Sequence, residues 1–354
     1  MYVNKIVSIT ILLFFLFCVF FKIRFSKKGE FFENYLSVET TRAIKGICAV
    51  LILLSHLCTY LADYFTSLFL FKFIGAMAVG GFFFVSGYGL QYGIMNKENY
   101  LKGFLKKRIL GIAVPYYIIN IFYIVTNSMP YPDIIKSLFG FNMWYVMAIA
   151  IFYIGFYLCN RIFPLKYVPL AMTVFILLYI AVMLKLDFGY WWFNSCLAFA
   201  AGMWICVFYK QFTEYFHKKW WLKLTVLLVL WVLAYSYYRV HINDRTLICL
   251  VVTLAGTTLF SLLLAVAVMK IQLKSPLLRI CGDLSLELYL THALWIAWLR
   301  NGTLYNMTGT FFDNNLTYLI GIIVGTFIMS VAVYKVSGFI TGNRRKLLEN
   351  RRKM

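Results

Sequence analysis

KGICAVLILLSHL, residues 45–57, opens on a lysine, continues as an apolar run and ends beside a lone histidine, His56. Taken alone, the run is a helix apolar on every side, which a soluble protein buries in its core and a membrane protein sets in lipid. The rest of the chain chooses between the two. Of its 354 residues, 62% are hydrophobic, 19% aromatic and only 13% charged, whereas a soluble domain carries about 25% charged residues. One core of this length cannot hide so much apolar surface from water. The chain is therefore read as an all-α, polytopic integral membrane protein.

Eleven windows are long enough to span, since a helix needs roughly 20 apolar residues to cross the hydrocarbon layer. They fall near 6–23, 43–62, 68–94, 109–128, 141–160, 167–186, 190–209, 221–238, 246–269, 281–299 and 315–339. None alternates polar and apolar residues as the strands of a membrane barrel do. In the first window the positive charges follow the apolar run and no small-residue cleavage site appears. It is read as a reverse-oriented anchor, not a signal peptide. The expected organisation is an anchor and linker over 1–40, one membrane domain over 41–340 and a basic tail over 341–354.

The formal net charge of +21 raises nucleic acid as a partner, but the placement of the charge excludes it. Of the 34 basic residues, 27 lie beside alternate windows or in the tail. They include Lys22 to Lys45, Lys97 to Arg108, Lys210 to Lys223 and Lys270 to Arg279. The other side has seven: Lys5, Lys72, Lys136, Lys185, Arg239, Arg245 and Arg300. The positive-inside rule then puts the N-terminus outside and the C-terminus in the cytosol. The eight cysteines fall in or near apolar windows without C-x-x-C pairing. They read as small core hydrophobes, with no disulfide framework or metal site expected. The outer loops are short and aromatic. They read either as interfacial anchors or as a rim that stacks sugars.

Lys45 and His56 are eleven residues apart. At about 100° per residue they share one helix face, separated by about 16 Å along the axis. Arg42 lies one turn earlier, near the same stripe. Ionisable groups inside a bilayer usually face protein or a wet cavity. A neutral imidazole there can accept a proton, and a cation at the mouth can bind phosphate. Two readings remain open: a lane for an anionic donor, or a histidine hydrogen-bonded to another helix beside orienting cations.

TRAIKGICAVLILLSHL, residues 41–57, resembles the opening motif of the membrane-bound acyltransferase 3 family, bacterial inner-membrane enzymes that mostly O-acetylate surface glycans. The family pattern is a basic residue, ten residues, then histidine. Arginine is usual first, where this chain has Lys45, which keeps the charge but loses the planar fork. GGFFFVSGYGL (80–90), FLKKRILGIAVPYY (104–117), MWYV (143–146), WWFNSCLAFAAGMWI (191–205) and LLRICGDLSLELYLTHALW (277–295) resemble further family segments, in order. The chain departs from the pattern at Gly111, where a further basic residue is common, and in its extra first span, since ten are usual.

The resemblance implies an O-acyltransferase that moves an acetyl or other short acyl group from cytosolic acyl-CoA to a hydroxyl of a surface or lipid-linked glycan. It implies His56 as general base or transient acyl acceptor; Glu287, a carboxylate inside an apolar helix, is read as a second catalytic residue that pairs with Arg42, Lys45 or His56. It also implies Arg42, Lys45, Lys106, Lys107 and Arg108 as acyl-CoA ligands. Ser86, Trp144, Tyr289 and His292 are the residues implied beside the acceptor or supporting the site. No bound cofactor is expected, acetyl-CoA being the donor substrate. Expected partners are acyl-CoA, the glycan acceptor, membrane lipids and glycan-assembly proteins, in a bacterial cell membrane.

Each assignment has a plainer counterpart. Ser86 among its glycines reads equally as an interhelical hydrogen bond, and the lysine cluster as an orientation signal. Glu287 reads as a structural ion pair with Arg42, Lys45 or His56. His217, His241, Asp63 and Asp313 are read as solvated. A transporter or flippase for a lipid-linked glycan, or a synthesis scaffold without turnover, also suits many spans and aromatic outer loops.

Overall fold

The computed structural model describes residues 2–61, 71–126, 129–300 and 315–342. Asp63, Asp313, most of the last aromatic loop and the tail beyond 342 lie outside them.

Each apolar window falls on helix. The helices are α1 (Tyr2–Phe20), α2 (Val38–Leu61), α3 (Gly75–Asn96), α4 (Phe104–Thr126), α5 (Tyr131–Leu138), α6 (Trp144–Ile162) and α7 (Val168–Lys185). They continue as α8 (Leu197–Val207), α9 (Tyr209–His217), α10 (Trp220–Val240), α11 (Leu247–Ala267), α12 (Pro276–Asp283), α13 (Ser285–Arg300) and α14 (Asn315–Ile340). Among the described residues, eight helical stretches are long and apolar enough to cross a bilayer, from Val38–Cys58 to Leu319–Ile340. The other windows lie on α1, α3 and α13. Glycines and Gln91 dilute α3, but most of its surface is buried by protein, so it has little need to be apolar towards lipid. In α13 the polar residues Ser285, Glu287, Thr291 and His292 are all buried.

The helix starts follow local chemistry. Ser37 precedes α2 and its Oγ accepts the Thr40 N–H at 3.3 Å. Ser275 caps α12 ahead of Pro276, and Thr246 caps α11. Such side chains satisfy amides that the first turn leaves without partners.

Two crossings bring backbones together. On α2, a Cβ at Gly46 would collide with the Leu278 carbonyl of α12, while one at Gly282 on α12 would collide with the Arg42 carbonyl of α2. Gly87 of α3 meets Phe199 of α8, and Gly202 of α8 meets Phe84 of α3 in the same reciprocal way. Small residues permit such approach in membrane bundles. The first crossing locks the Arg42–Lys45 turn against the residues that precede α13.

Contacts also sort the connections into two ends. Strands β1 (Ile23–Phe25) and β2 (Ile271–Leu273) pair antiparallel, joining the linker after α1 to that after α11. Tyr209 Oη donates to the Glu33 carbonyl, and Tyr35 Oη lies 2.9 Å from Thr213 Oγ1. These lysine-rich connections make a cationic end. At the far end Arg245 pairs with Asp187 at 2.9 Å and Trp298 Nε1 donates to Thr126 Oγ1 at 2.6 Å.

Three local features differ from expectation. The tenth window is broken at Leu284 into α12 and α13. The polar linker holds a strand, so two short strands accompany the helices. His217 is not a solvated loop residue: it ends α9 and stacks on Phe31 at 3.8 Å. His241 is half-buried beside Asp244, 2.7 Å away. The eight cysteines are buried thiols.

Candidate active site

The α2–α12 crossing and the break at Leu284 together shape a cavity of about 200 Å3 at the cationic end. Lys45 reaches it from α2, Ser86 from α3, Lys107 and Arg108 from α4, and Tyr145 and Tyr153 from α6. Asp283, Ser285, Glu287 and Tyr289 complete it around the break. Three cations and two carboxylates thus face one space. Arg108 is fixed within it. Its Nη2 donates to Tyr100 Oη at 2.8 Å, and its guanidinium lies over Phe104 at 5.7 Å and Tyr153 at 5.8 Å. Cation–π contact and a charge-assisted hydrogen bond hold the plane of the group.

Arg42 is engaged elsewhere. Its Nε lies 3.2 Å from Asp283 Oδ1, so the carboxylate on Arg42 is Asp283, and Arg42 does not line the cavity. Lys106 points into a second cavity of about 280 Å3, between the start of α4 and Thr341 and Gly342 after α14. Lys107 and Gly111 line both cavities. Gly111, standing where a basic residue was expected, leaves open the space a long side chain would fill. Trp144 stacks edge-on against Tyr145 at 6.1 Å and stays outside the cavity. Ser86 lines the wall, but no imidazole lines it with Ser86.

Beyond the cavity the aromatic rings form a path. Tyr145 meets Tyr289 at 5.3 Å, Tyr289 meets His292 at 5.8 Å, and His292 meets His56 at 4.8 Å. Lys45 and His56 share the unbroken α2, as their spacing predicts. His292 is 3% exposed, whereas His56 is exposed. His292 Nδ1 lies 3.1 Å from the Leu288 carbonyl. A carbonyl only accepts, so Nδ1 carries hydrogen and Nε2 of the neutral ring is left as an acceptor. Thr291 Oγ1 lies 2.8 Å from Ser330 Oγ of α14 and holds α13 in place.

Sequence reasoning missed Tyr100, Tyr153 and Asp283. Asp283 stood within a quoted segment, and the break that exposes it is marked only by Gly282 before it and Ser285 after it. Tyr100 and Tyr153 carried no signal.

A bundle of apolar helices around a charged cavity, with imidazoles one turn further in, is the architecture of a polytopic membrane protein with an internal polar site. The chain belongs to the acyltransferase 3 family: the family's acyltransferase-domain model matches residues 42–335, which leaves α1 outside the match. No curated protein and no solved structure matches the chain.

Proposed function

We propose that this membrane acyltransferase moves an acetyl or other short acyl group from cytosolic acyl-CoA to a hydroxyl of a surface or lipid-linked glycan. The observation that carries the reading is the juxtaposition of Lys45, Lys107 and Arg108 in one cavity, with the His56–His292 pair one helical turn beyond its Tyr289 wall. The one-sided distribution of basic residues supports a cytosolic cationic end and an external N-terminus, and the family likeness supports a bacterial inner-membrane location.

In this reading the diphosphate of the donor binds Lys45, Lys107 and Arg108, since clustered cations suit phosphate. The pantetheine arm passes from the cavity beyond its Tyr289 wall, and its thioester reaches His56, about 16 Å from Lys45 at about 1.5 Å per residue. The acceptor hydroxyl oxygen attacks the thioester carbonyl carbon while His56 takes the hydroxyl proton. The C–S bond then breaks, the sulfur receives that proton from the imidazolium, and the glycan ester and free coenzyme A leave. Glu287, buried at 7% exposure on the cavity wall, balances cationic charge near the donor. His292 orients His56.

The test is turnover. Purified protein in lipid nanodiscs releases coenzyme A from acetyl-CoA when a glycan acceptor is present, and His56→Ala stops it. Retained acylation in His56→Ala overturns the assignment of the base.

A further inference from the structure

The cationic cavity holds a charge that no step of the reaction uses. Asp283 lines it beside Lys107 and Arg108, where a carboxylate competes with phosphate for the same cations. Asp283 is the last residue of α12, so its charge adds to the negative end of that helix and finds no favourable field there. Its counter-charge comes from another helix. Arg42 of α2 sets Nε 3.2 Å from Asp283 Oδ1 while standing outside the cavity wall.

The fold fixes this approach. Gly282 has no Cβ, and the Arg42 carbonyl lies against the space one would fill, so the residue beside Asp283 packs on the backbone of Arg42 itself. A second pair spans the same two helices, Arg279 Nη2 to Glu39 Oε2 at 3.8 Å. The side chains of Arg42 and Asp283 are 37% and 32% exposed, and an ion pair so open to water adds little to stability. The reciprocal glycines already join α2 to α12. Holding the fold is thus the weaker account of the pair.

Charge is the stronger account. On the wall, Lys45, Lys107 and Arg108 stand against Asp283 and Glu287, three cations to two carboxylates, which leaves a formal excess of one positive charge. Arg42, in contact with Asp283, cancels one of those carboxylates and raises the excess to two. A diphosphate linked at both ends carries one negative charge on each phosphorus and matches that excess. Charge in a cleft with apolar walls is screened less than charge on an open surface, so a single unit counts there.

We propose that Arg42 is a positioning residue and not a ligand of the donor: it holds and neutralises the Asp283 carboxylate, so that a diphosphate meets the cavity cations without Asp283 as a rival. This rests on the acyl-CoA reading above and gives that site a residue that acts through another.

The test is coenzyme A binding, by calorimetry at low salt, to the full chain in phosphatidylcholine nanodiscs. Arg42→Ala is expected to raise the Kd about tenfold, the effect of one unit of charge in a poorly screened site. Asp283→Asn is expected to lower it about twofold, and the double variant Arg42→Ala, Asp283→Asn to return it to within about twofold of wild type, because the two changes are coupled. Glu39→Gln, which cuts the other pair between the same helices, should bind as the wild type does. Should Arg42→Ala fail to fold, Arg42→Gln carries the same comparison. An unchanged Kd in the Arg42 variant overturns the proposal. So does a loss that persists in the double variant, which makes Arg42 a contact of the donor itself. Equal losses in Asp283→Asn and Arg42→Ala, or a loss in Glu39→Gln, reduce the pair to a brace for the α2–α12 crossing and overturn it as well. If the wild type binds no coenzyme A, the donor reading itself is refuted and this proposal falls with it.

Discussion

The rings of His56 on α2 and His292 on α13 lie 4.8 Å apart, tilted by 40°. One partner is already committed, since His292 Nδ1 donates to the Leu288 carbonyl. In the proposed reaction the moving proton goes to His56, and His292 acts through it. Removing the base should cost about 10²–10⁴ in kcat, so His56→Ala is expected to fall in that range by coenzyme A release. His292→Phe keeps a ring in the packing but loses the nitrogens. It should lower kcat by roughly tenfold with the acetyl-CoA KM unchanged, the pattern of a lost transition-state interaction. Full activity in His292→Phe would reduce the second ring to packing.

Arg108 should not tolerate lysine. Its guanidinium bonds Tyr100 Oη at 2.8 Å while lying over two rings, a geometry that an ammonium cannot reproduce. A charge-assisted hydrogen bond contributes about 1.5–3 kcal/mol, so Arg108→Lys is expected to raise the acyl-CoA KM on the order of tenfold. Tyr100→Phe should raise it by less, because the ring stays and only the hydroxyl goes. Lys106→Ala, whose side chain lines the other cavity, should leave KM within about twofold, since surface charges count for little. Donor titrations of the three variants check the ranking.

The reciprocal glycines should be the least replaceable small residues. At Gly46 and Gly282 the atom a Cβ would strike is a backbone carbonyl of the facing helix, which cannot swing aside like a side chain. Overpacking typically costs 1–3 kcal/mol when side chains can adjust, so Gly46→Ala should cost at least about 2 kcal/mol. It should also displace Lys45 from the cavity wall. Gly111→Ala is the control: nothing lies near its added Cβ, and no loss of stability is expected. Thermal unfolding in nanodiscs separates the two.

Much of this arrangement was legible because it is local or periodic. Apolar windows of bilayer length became helices, and the eleven-residue spacing put Lys45 and His56 on one unbroken helix. The glycines around Ser86 announced close packing, and Gly87 supplies it against Phe199. What stayed hidden depends on contacts between distant segments. Nothing near His56 says that its ring partner is His292 and not Glu287. Nothing near Arg42 says that Asp283 occupies it, because both facts follow from how α2 crosses α12. The break at Leu284 lies among Gly282, Asp283 and Ser285, inside a window otherwise apolar enough to read as one span. The pairing of His217 with Phe31 links residues nearly two hundred positions apart, across a linker that reads as merely polar.

That last contact makes the cationic end sensitive to acid. His217 stacks on Phe31, with Lys270 4.5 Å above the same Phe31 ring. Its Nε2 is buried without a hydrogen-bond partner. Burial, and secondarily the Lys270 charge, hold the imidazole below its ordinary range. The sign follows from proton counting. Between the unfolded value near 6.5 and the lower folded value, the unfolded chain binds a proton at His217 that the folded chain does not. Stability is therefore full above about pH 6.5 and declines as pH falls through the folded value, below which the loss levels off. The apron formed by α9, Phe31 and the β1–β2 pair should loosen first, because the cost falls there. Hydrogen exchange at pH 7.5 and 5.5, with each rate divided by the intrinsic amide rate at that pH, is expected to show lower protection across residues 26–37 at the lower pH in wild type. His217→Phe, which keeps the stack but cannot titrate, should show the same protection at both. Equal acid sensitivity in wild type and His217→Phe would remove the imidazole as its source.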